Sequence, residues 1–577
     1  MRIQRAALTA GALVLTAISS ADAQTIYPLN WAEILAGAKF DLKVEFPGAP
    51  AEAAVRVTIN GQDAAVVIGK TASFIEREEH SAFWIRDAAL NKTGTHLVEA
   101  SAGEHKASVT WEVFETGVPK AKNVILFIGD GLSIAHRTAA RVLSKGIVEG
   151  RYGGELAMDD MPHMALVSTS GTDALVTDSA NSASAYTTGH KSCVNAMGIY
   201  CARNKSPFDH PRVETISELA KRMRNMAVGV VTNTEIEDAT PAAMVSHTRL
   251  RSTYNQIVQM LFDAKPEVVL GGGSVNFWPR TKDGSKRDDD IDYVKKFQDA
   301  GYTFVATNSE LKAATGATKL LGLFNTGNID GALVRFLLKK GTVSRFPDQP
   351  DLTDQTRAAL DILSQNPNGF VLMVESGRID KYSHSLDWER AVYDTIMLDN
   401  AVKIAKDFAV TRNDTLILVV ADHAHGTAIV GTYDDGRPGQ QLRDKLATYA
   451  DSKFPNYGTP NADGYPERID VSRRLAFVFS TYPDYCETGR PYVEGENRPA
   501  LAASADSKVF VANEQYCMPG SARRSGNLPF GLSQGVHSAD DVVLTAMGPG
   551  AEQVRGRMEN TRVFRIMVNV LGLGTRE

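Results

Sequence analysis

Polar and apolar residues alternate in short runs through residues 24–118. The alternation is clearest in Phe40–Phe46, Val55–Asn60 and Val109–Phe114. A period of two residues is typical of strands that bury one face, and Asn60-Gly61 supplies a turn signal between such runs. No run in this part of the chain has helical periodicity. We therefore predict an N-terminal domain over residues 24–118 with an immunoglobulin-like β-sandwich fold.

From residue 119 onward the pattern changes to short, continuous apolar runs, which are typical of strands buried on both faces of a sheet. Amphipathic segments lie between several of them, and Trp388–Phe408 carries one broad apolar face. This order predicts an α/β domain over residues 119–577, with a large, mostly parallel central sheet and helices on both faces. The runs assigned to strands are Val124–Ile128, Val228–Val231, Val268–Leu270, Phe370–Val374, Leu416–Val420 and Val542–Leu544.

Residues 431–532 interrupt the alternation of strands and helices. This segment is rich in glycine, proline, aspartate, tyrosine and arginine, and Leu475–Phe479 is its one evident strand. It also contains Cys486 and Cys517. We predict an insertion over one end of the sheet, cross-linked by a disulfide.

The first 23 residues have the composition of a secretory signal peptide. Arg2 and Arg5 precede an apolar run, and small residues follow it up to Ala23. The run is short for a transmembrane helix. We therefore expect a signal peptide over residues 1–23, no membrane span, and export to the periplasm or the extracellular space. Export favours disulfides, and among three pairings of the four cysteines we expect Cys193 with Cys201 and Cys486 with Cys517.

Charge and composition narrow the class of partner. The net charge of −6 is spread along the 577 residues without a basic stripe. Nucleic-acid binding therefore gains no support. The hydrophobic content of 43% and the charged content of 23% are ordinary for a soluble globular protein.

Carboxylates and imidazoles follow the predicted strands of the α/β domain. The carboxyl ends of parallel strands share one edge of a sheet, where ligands bind. Each residue by itself has an ordinary alternative role in a turn or at a helix entry. Together they would gather like charges at one edge, and such a gathering requires cations. The candidate metal ligands are Asp130, Asp238, Thr240, Glu375, Asp380, His384, Asp422, His423 and His537.

The types of ligand atom among these candidates indicate which metals could bind and which reaction they could support. Imidazoles and carboxylates without a thiolate suit zinc, whereas carboxylates with a hydroxyl such as that of Thr240 suit magnesium. Two adjacent cations beside a serine are typical of displacement at phosphorus, in which an arginine holds the remaining oxygens.

Ser179 follows Asp178 and begins a run of small residues. One interpretation is an ordinary helix cap. The other is a nucleophile at a helix N-terminus, where free N–H groups and the helix dipole attract an anion. The segment alone favours the cap, but the metal candidates elsewhere in the chain favour the nucleophile.

Six short motifs, in their order along the chain, resemble those of the alkaline phosphatases and cover most of residues 119–577. They are Lys122–Gly131, Thr177–Ala180, Glu237–Ala242, Val374-Glu375 with Ile379–His384, Ala421–Ala424 and Gly535–His537. The resemblance implies that Ser179 is the nucleophile of a phosphoseryl intermediate and that Arg251 binds phosphate, with Arg249 as a neighbouring alternative. Lys381 matches a bacterial pattern in which a lysine and Asp238 flank the phosphate.

The resemblance also implies two zinc ions and one magnesium ion. The first zinc would take Asp380, His384 and His537, and the second would take Asp130, Asp422 and His423. The magnesium would take Asp130, Thr240 and Glu375, with Asp238 reaching it through water.

The function that we expect is therefore that of a secreted alkaline phosphatase with a broad range of small phosphate monoesters. A homodimer is a further expectation, because the family often dimerises. Two alternatives stay open: a phosphodiesterase or sulfatase on the same metal scaffold, and a non-catalytic binding protein that works through its β-sandwich. Ser376 stands where the family usually has glycine, and the acidic run Asp288–Asp292 is either a solvated loop or an extra calcium site.

Overall fold

The computed structural model describes residues 24–76 and 80–574, so the predicted signal peptide lies outside the described residues. Contacts divide the chain into two compact units. Within the described residues, the smaller unit contains residues 24–32, Asp41–Ala88 and Thr95–Trp111, and the larger unit contains Glu33–Phe40, Ala89–Gly94 and the chain from Glu112 onward.

The N-terminal region forms two small sheets. Along one of its strands Val98 and Ala100 are buried while Leu97 and Glu99 are exposed, as a period of two residues requires. The strands are Thr25–Tyr27, Phe40–Pro47, Ser73–Ile75 and His80–Ala88 in one sheet, and Val55–Ile59, Gln62–Asp63, Gly94–Ala102 and His105–Phe114 in the other. Glu33–Leu35 pairs in parallel with Glu112–Phe114, and both of these segments belong to the larger unit.

One short α-helix, Ala64–Ile68, lies in the smaller unit, where the sequence pattern predicts none. The Asp63 side chain accepts a hydrogen bond from the Val66 backbone N–H and so caps the helix. Five residues are too few to display a helical period, which is why the sequence pattern gives no sign of this helix.

A ten-stranded sheet with helices on both faces forms the core of the larger unit, which confirms the predicted α/β class. Val542–Met547 is antiparallel to its neighbours on both sides, and the other neighbouring pairs in the sheet are parallel. The strand order is Thr303–Val305, Leu320–Leu323, Val268–Gly272, Ala227–Glu235, Phe370–Ser376, Asn123–Gly129, Thr415–Val420, Val542–Met547, His163–Ser168 and Gly556–Glu559.

The helices of this unit pack in two groups. Trp388–Val410, predicted as Trp388–Phe408, contacts Ile134–Lys145 and Leu352–Leu363, and Ser179–Thr188 contacts Ile216–Arg224 and Thr561–Leu571. Gly129 permits close approach, since a Cβ there would lie 2.9 Å from the Leu398 side chain. The further helices are Ala239–Ala242, Tyr254–Ala264, Tyr293–Asp299, Asn308–Ala313, Val334–Leu338, Arg378–His384 and Leu442–Lys445.

Four strands of the main sheet lie outside the predicted apolar runs. His163–Ser168 exposes Met164 and Leu166, so its pattern is not that of a strand buried on both faces. Gly556–Glu559 is the polar edge strand. Thr303–Val305 and Leu320–Leu323 have only three and four residues.

The predicted insertion, residues 431–532, contains more strands than the single one expected. Most of them have only two or three residues, which is too short for a recognisable pattern. Besides Arg473–Phe479, which pairs with Thr427–Asp434, they are Leu446–Ala447, Tyr485–Glu487, Ala500–Ala502, Phe510–Ala512 and Ala522–Arg524.

Both expected disulfides are present. Cys193–Cys201 has a Cα–Cα distance of 6.2 Å, and Cys486–Cys517 has one of 5.1 Å. Among the helices of residues 24–76 and 80–574, none has the length and hydropathy that crossing a bilayer requires.

The two disulfides are expected to differ in their effect on stability. A cross-link lowers the entropy of the unfolded chain more when it closes a longer loop, and the two sequence separations are 31 and 8 residues. Replacing Cys486 and Cys517 by serine should lower the free energy of unfolding by about 3.7 kcal/mol, against about 2.5 kcal/mol for the other pair. Guanidinium-induced unfolding followed by circular dichroism measures both, and a larger loss for the shorter loop would contradict this expectation.

Candidate functional site

The candidate residues meet at the carboxyl-terminal edge of the main sheet. Asp130 directly follows Asn123–Gly129, Glu375 lies near the end of Phe370–Ser376, and Asp422 comes two residues after Thr415–Val420. These three strands are parallel neighbours, so their ends share one edge. His537 reaches the same edge although it precedes its strand, because Val542–Met547 runs in the opposite direction.

Ser179 is the first residue of the helix Ser179–Thr188, and Asp178 is its N-cap. The Asp178 side chain accepts a hydrogen bond from the Asn181 backbone N–H at 3.3 Å. The cap is therefore Asp178, and the Ser179 hydroxyl is free for another role. Its Oγ lies 3.4 Å from Asp130 Oδ1 and 3.3 Å from His423 Nε2.

Three imidazoles converge on one carboxylate oxygen, Asp380 Oδ1. His425 Nε2 lies 2.7 Å from it, His384 Nε2 3.2 Å and His537 Nε2 3.3 Å. The three imidazoles outweigh the effect of burial and hold the pKa of Asp380 well below its usual range. Asp380 and His384 lie one turn apart on the helix Arg378–His384, which explains why both reach the same point.

The backbone fixes the orientation of two of these rings. His384 Nδ1 lies 2.7 Å from the Gly535 carbonyl oxygen, and His537 Nδ1 lies 2.8 Å from that of Thr177. A ring that donates from Nδ1 to a carbonyl presents the lone pair of Nε2 on its other side. In this tautomer both rings direct a nitrogen that can bind a metal towards Asp380.

A second group contains Asp130, Asp422 and His423. His423 Nε2 lies 3.3 Å from Asp130 Oδ1 and 3.5 Å from Asp422 Oδ2. The backbone N–H groups of Gly131 and His423 donate to Asp422 Oδ1, which leaves the buried Oδ2 without a hydrogen-bond partner. Burial raises the pKa of Asp422 to about 6, and burial together with Asp380 and Asp422 raises that of Asp130.

Gly131 connects the two groups. Its φ of +66° lies in the left-handed region, and a Cβ there would come 2.8 Å from the His425 ring and 3.2 Å from Asp380. A glycine at this position lets the chain turn directly after Asp130 and leaves room for the imidazole cluster.

Glu375 and Thr240 are the further oxygen donors expected at a magnesium site. Glu375 Oε2 accepts hydrogen bonds from the hydroxyls of Thr232 and Thr234, and burial raises the pKa of Glu375 to about 7. The buried hydroxyl of Thr240, on the short helix Ala239–Ala242, has no hydrogen-bond partner. Oxygen donors of this kind suit magnesium.

Arg251 and Lys381 supply the positive charge of the site. Arg251 donates to Asp178 Oδ2 at 3.2 Å and to Asp238 Oδ1 at 2.8 Å, and Lys381 Nζ lies 2.9 Å from Asp238 Oδ2. The two cations outweigh the effect of burial and hold the pKa of Asp238 below its usual range. Arg249 instead donates to the Val194 carbonyl, so the side chain that faces these carboxylates is that of Arg251.

The donor set fits cations. Five buried carboxylates share this edge, and Arg251 and Lys381 are too few to balance them. One side-chain oxygen of Asp422 and the hydroxyl oxygen of Thr240 are buried without a hydrogen-bond partner, which indicates that each binds a cation or another ligand. Among residues 24–76 and 80–574, two groups of side chains have donor atoms close enough to hold an ion: Asp380 with His423, His425 and His537, and Asp130 with Asp422 and His423.

His425 is the one member of these groups that the sequence analysis does not single out. It lies on the short strand Ala424–His425, which pairs with His537–Ser538. The signal in the sequence is the spacing of two residues from His423, which places both imidazoles next to one strand end.

The acidic run Asp288–Asp292 has protein partners in the structure. Asp289 pairs with Arg287 at 2.6 Å and Asp290 with Arg280 at 2.9 Å. The Asn255 side-chain amide donates to Asp288, and Asp292 caps the helix Tyr293–Asp299. These contacts favour the interpretation as a surface loop.

Ser376 is the departure from the family pattern. It is fully buried, and its hydroxyl donates to the Asp394 carbonyl oxygen at 3.3 Å.

The chain is similar in sequence to known proteins over most of the larger unit. The family profile described as alkaline phosphatase matches residues 121–573. The chain is 34% identical to the alkaline phosphatase of Escherichia coli strain K12 over 362 residues, which are 55% of this chain and 73% of that protein. It is 32% identical to the alkaline phosphatase of Gadus morhua over 491 residues, 79% of this chain and 92% of that protein.

Solved structures share the fold. The alkaline phosphatase of Thermus thermophilus superimposes with a TM-score of 0.56 at 23% identity, covering 80% of this chain and 93% of that one. The alkaline phosphatase of the Antarctic bacterium TAB5 superimposes with a TM-score of 0.55 at 20% identity, covering 80% of this chain and 100% of that one. The chain therefore belongs to the alkaline phosphatase family of phosphate monoester hydrolases.

Proposed function

We propose that this phosphatase works through a phosphoseryl intermediate on Ser179 and accepts a broad range of small phosphate monoesters. The observation that carries the proposal is the placement of the Ser179 hydroxyl. It stands at a helix N-terminus, beside the potential metal ligands Asp130 and His423, and Asp178, the N-cap of the same helix, accepts a hydrogen bond from Arg251. A phosphoryl group bound there would meet the hydroxyl, the helix N–H groups and the guanidinium together.

Two zinc ions and one magnesium ion complete the proposed site. Asp380, His384 and His537 would hold the first zinc, and Asp130, Asp422 and His423 the second. Asp130, Thr240 and Glu375 would hold the magnesium, with Asp238 reaching it through water. A variant of the TAB5 alkaline phosphatase binds magnesium in a metal site called M3, which supports the proposed magnesium ion. When bound, these ions supply electrostatic stabilisation of the entering and leaving oxygens.

The chain's own residues perform the displacement in two steps. Ser179 Oγ forms a bond to phosphorus as the ester P–O bond breaks, and the alcohol leaves with a proton. Water then attacks the phosphoserine, which releases phosphate and restores the hydroxyl. Arg251 holds two phosphate oxygens through the planar fork of its guanidinium, and Lys381 adds a point charge beside Asp238. His425 orients the Asp380 carboxylate through their 2.7 Å contact.

Export and dimerisation are further parts of the proposal. The signal-peptide composition of residues 1–23 and two disulfides support a periplasmic or extracellular enzyme. The residues 24–118 are proposed as a separate immunoglobulin-like domain, and a homodimer as the assembly.

Replacing Ser179 by alanine is expected to abolish the covalent intermediate. Turnover of 4-nitrophenyl phosphate should fall by at least about a thousandfold, because the reaction then lacks its nucleophile. Acid quenching with labelled substrate should trap phosphoserine in the wild type and none in the variant. Full activity of the alanine variant, or hydrolysis of bis(4-nitrophenyl) phosphate faster than of the monoester, would contradict the proposal.

Arg251 and Arg249 form a matched pair for testing phosphate recognition. A hydrogen bond to a charged partner contributes about 1.5–3 kcal/mol, so Arg251→Ala should raise KM and the inhibition constant of inorganic phosphate by roughly 10–150-fold. Arg249→Ala removes a similar charge from a residue that faces Val194. Its effect should stay within about twofold. Equal effects of the two substitutions would refute the assignment of Arg251.

Metal binding is expected to strengthen as the pH rises through the range from 5 to about 8. Burial raises the pKa of Asp422 to about 6 and that of Glu375 to about 7, and it also raises that of Asp130. Below these values a cation must displace protons, whereas above them the carboxylates are already ionised. Zinc affinity should rise by up to about tenfold per pH unit for each proton displaced.

Calorimetric titration of the metal-free protein with zinc, in two buffers of different ionisation enthalpy, counts the released protons. More protons should be released at pH 6 than at pH 8. If zinc binding releases the same number of protons at pH 6 and at pH 8, the groups with raised pKa values are not the metal ligands.

A further inference from the structure

A disulfide-closed turn lies against the residues that hold the proposed phosphate. We call residues Ser192–Cys201 the Cys193 turn. The disulfide Cys193–Cys201 closes it with a Cα–Cα distance of 6.2 Å. Within it, the Ala196 backbone N–H donates to the Cys193 carbonyl oxygen at 3.1 Å. The turn therefore has a fixed backbone at residues 193–196.

Three residues, Asn195, Asp178 and Arg251, form a closed ring of hydrogen bonds. The Asn195 backbone N–H donates to Asp178 Oδ1 at 3.1 Å. Asp178 Oδ2 accepts from the Arg251 guanidinium at 3.2 Å. The Arg251 backbone N–H donates to the Asn195 carbonyl oxygen at 2.8 Å. Asn195 thus holds Arg251 directly by the backbone and indirectly through the carboxylate that its guanidinium faces.

Asn195 makes these contacts through its backbone alone. Its side chain is exposed, and among the described residues it has no hydrogen-bond partner. Its φ of +69° lies in the left-handed region, which asparagine and glycine adopt readily and β-branched residues do not. The conformation, rather than the side chain, is what the ring requires.

Hydrogen bonds join the rest of the Cys193 turn to two other segments of the site. Met197 and Thr248 exchange two backbone hydrogen bonds of 2.9 Å, which fixes the turn to the segment before Arg251. The Asn181 side chain donates to the Ser192 carbonyl oxygen at 3.3 Å, which fixes it to the helix of Ser179. The turn therefore spans the nucleophile helix and the arginine segment.

We propose that Asn195 is a positioning residue for phosphate binding: the disulfide-closed turn holds its left-handed backbone, which sets the direction of Arg251 and Asp178. The inference rests on the proposed function, in which Arg251 binds the phosphoryl group. Loss of this backbone conformation would leave the nucleophile and the metal ligands in place but would let the guanidinium move away from the phosphate oxygens.

Two substitutions at Asn195 separate conformation from side-chain chemistry. Asn195→Gly keeps the left-handed backbone, and KM for 4-nitrophenyl phosphate and the inhibition constant of inorganic phosphate should both stay within about twofold of the wild type. Asn195→Val disfavours that backbone and should raise both constants roughly tenfold while kcat changes less than about threefold. Asn195→Ala, a milder change, should shift both constants in the same direction. All are measured on the metal-loaded full chain, with melting temperatures and metal content as checks on folding.

Coupling to Arg251 distinguishes positioning from a general structural effect. In an Arg251→Ala background, Asn195→Val should leave the phosphate inhibition constant unchanged, because the group that it positions is gone. The inference is overturned if the valine variant weakens phosphate equally in both backgrounds, if it lowers kcat with unchanged phosphate affinity, or if Asn195→Gly is as damaging as Asn195→Val.

The two disulfides provide a second, independent comparison. Replacing Cys193 and Cys201 by serine should weaken phosphate inhibition, whereas the same change at Cys486 and Cys517 should leave it unchanged. Equal effects would overturn the inference. The Arg251→Ala single variant separates the proposed function of Arg251 from the inference about Asn195. If phosphate inhibits this variant as strongly as the wild type, Arg251 does not bind phosphate and both the proposed function and the inference are wrong. If phosphate inhibits it more weakly, the Asn195 variants alone decide the inference.

Discussion

Mutual repulsion between carboxylates is the constraint on which this site depends. Asp130, Asp238, Glu375, Asp380 and Asp422 are all buried at one edge of the sheet. Their environments separate them: Arg251 and Lys381 hold the pKa of Asp238 low and the imidazoles hold that of Asp380 low, whereas burial raises those of the other three. In the absence of cations, protons on Asp130, Glu375 and Asp422 relieve part of this repulsion, and a bound cation would take their place. The metal ions of the proposal would therefore balance the negative charge of the folded site.

The fold supplies the geometry that this constraint requires. Parallel strands deliver Asp130, Glu375 and Asp422 to the same edge, and the single antiparallel strand delivers His537 from the opposite direction. The position of Ser179 at the N-terminus of its helix places its hydroxyl at the same edge. Because Asp178 takes the capping role, the serine hydroxyl is free to face the carboxylates.

Much of this could be predicted from the sequence, because burial on both faces gives a strand a continuous apolar run and polar residues after such a run must lie at the sheet edge. Val124–Ile128 followed by Asp130 is the clearest example. What could not be predicted depends on tertiary contacts. His425 has no local signal beyond its distance from His423, and Asn195 enters its ring of hydrogen bonds through backbone groups alone. Leu320–Leu323 and the strands of residues 431–532 are too short to give a pattern.

The metal content of the folded chain, together with its response to a chelator, shows whether the buried carboxylates bind cations. Elemental analysis of the purified protein should find two zinc ions and one magnesium ion per chain. EDTA should remove both the ions and the hydrolysis of aryl phosphates, and zinc with magnesium should restore activity. A folded chain that contains neither metal and still hydrolyses phosphate monoesters at the same rate would show that the buried carboxylates do not function as cation ligands.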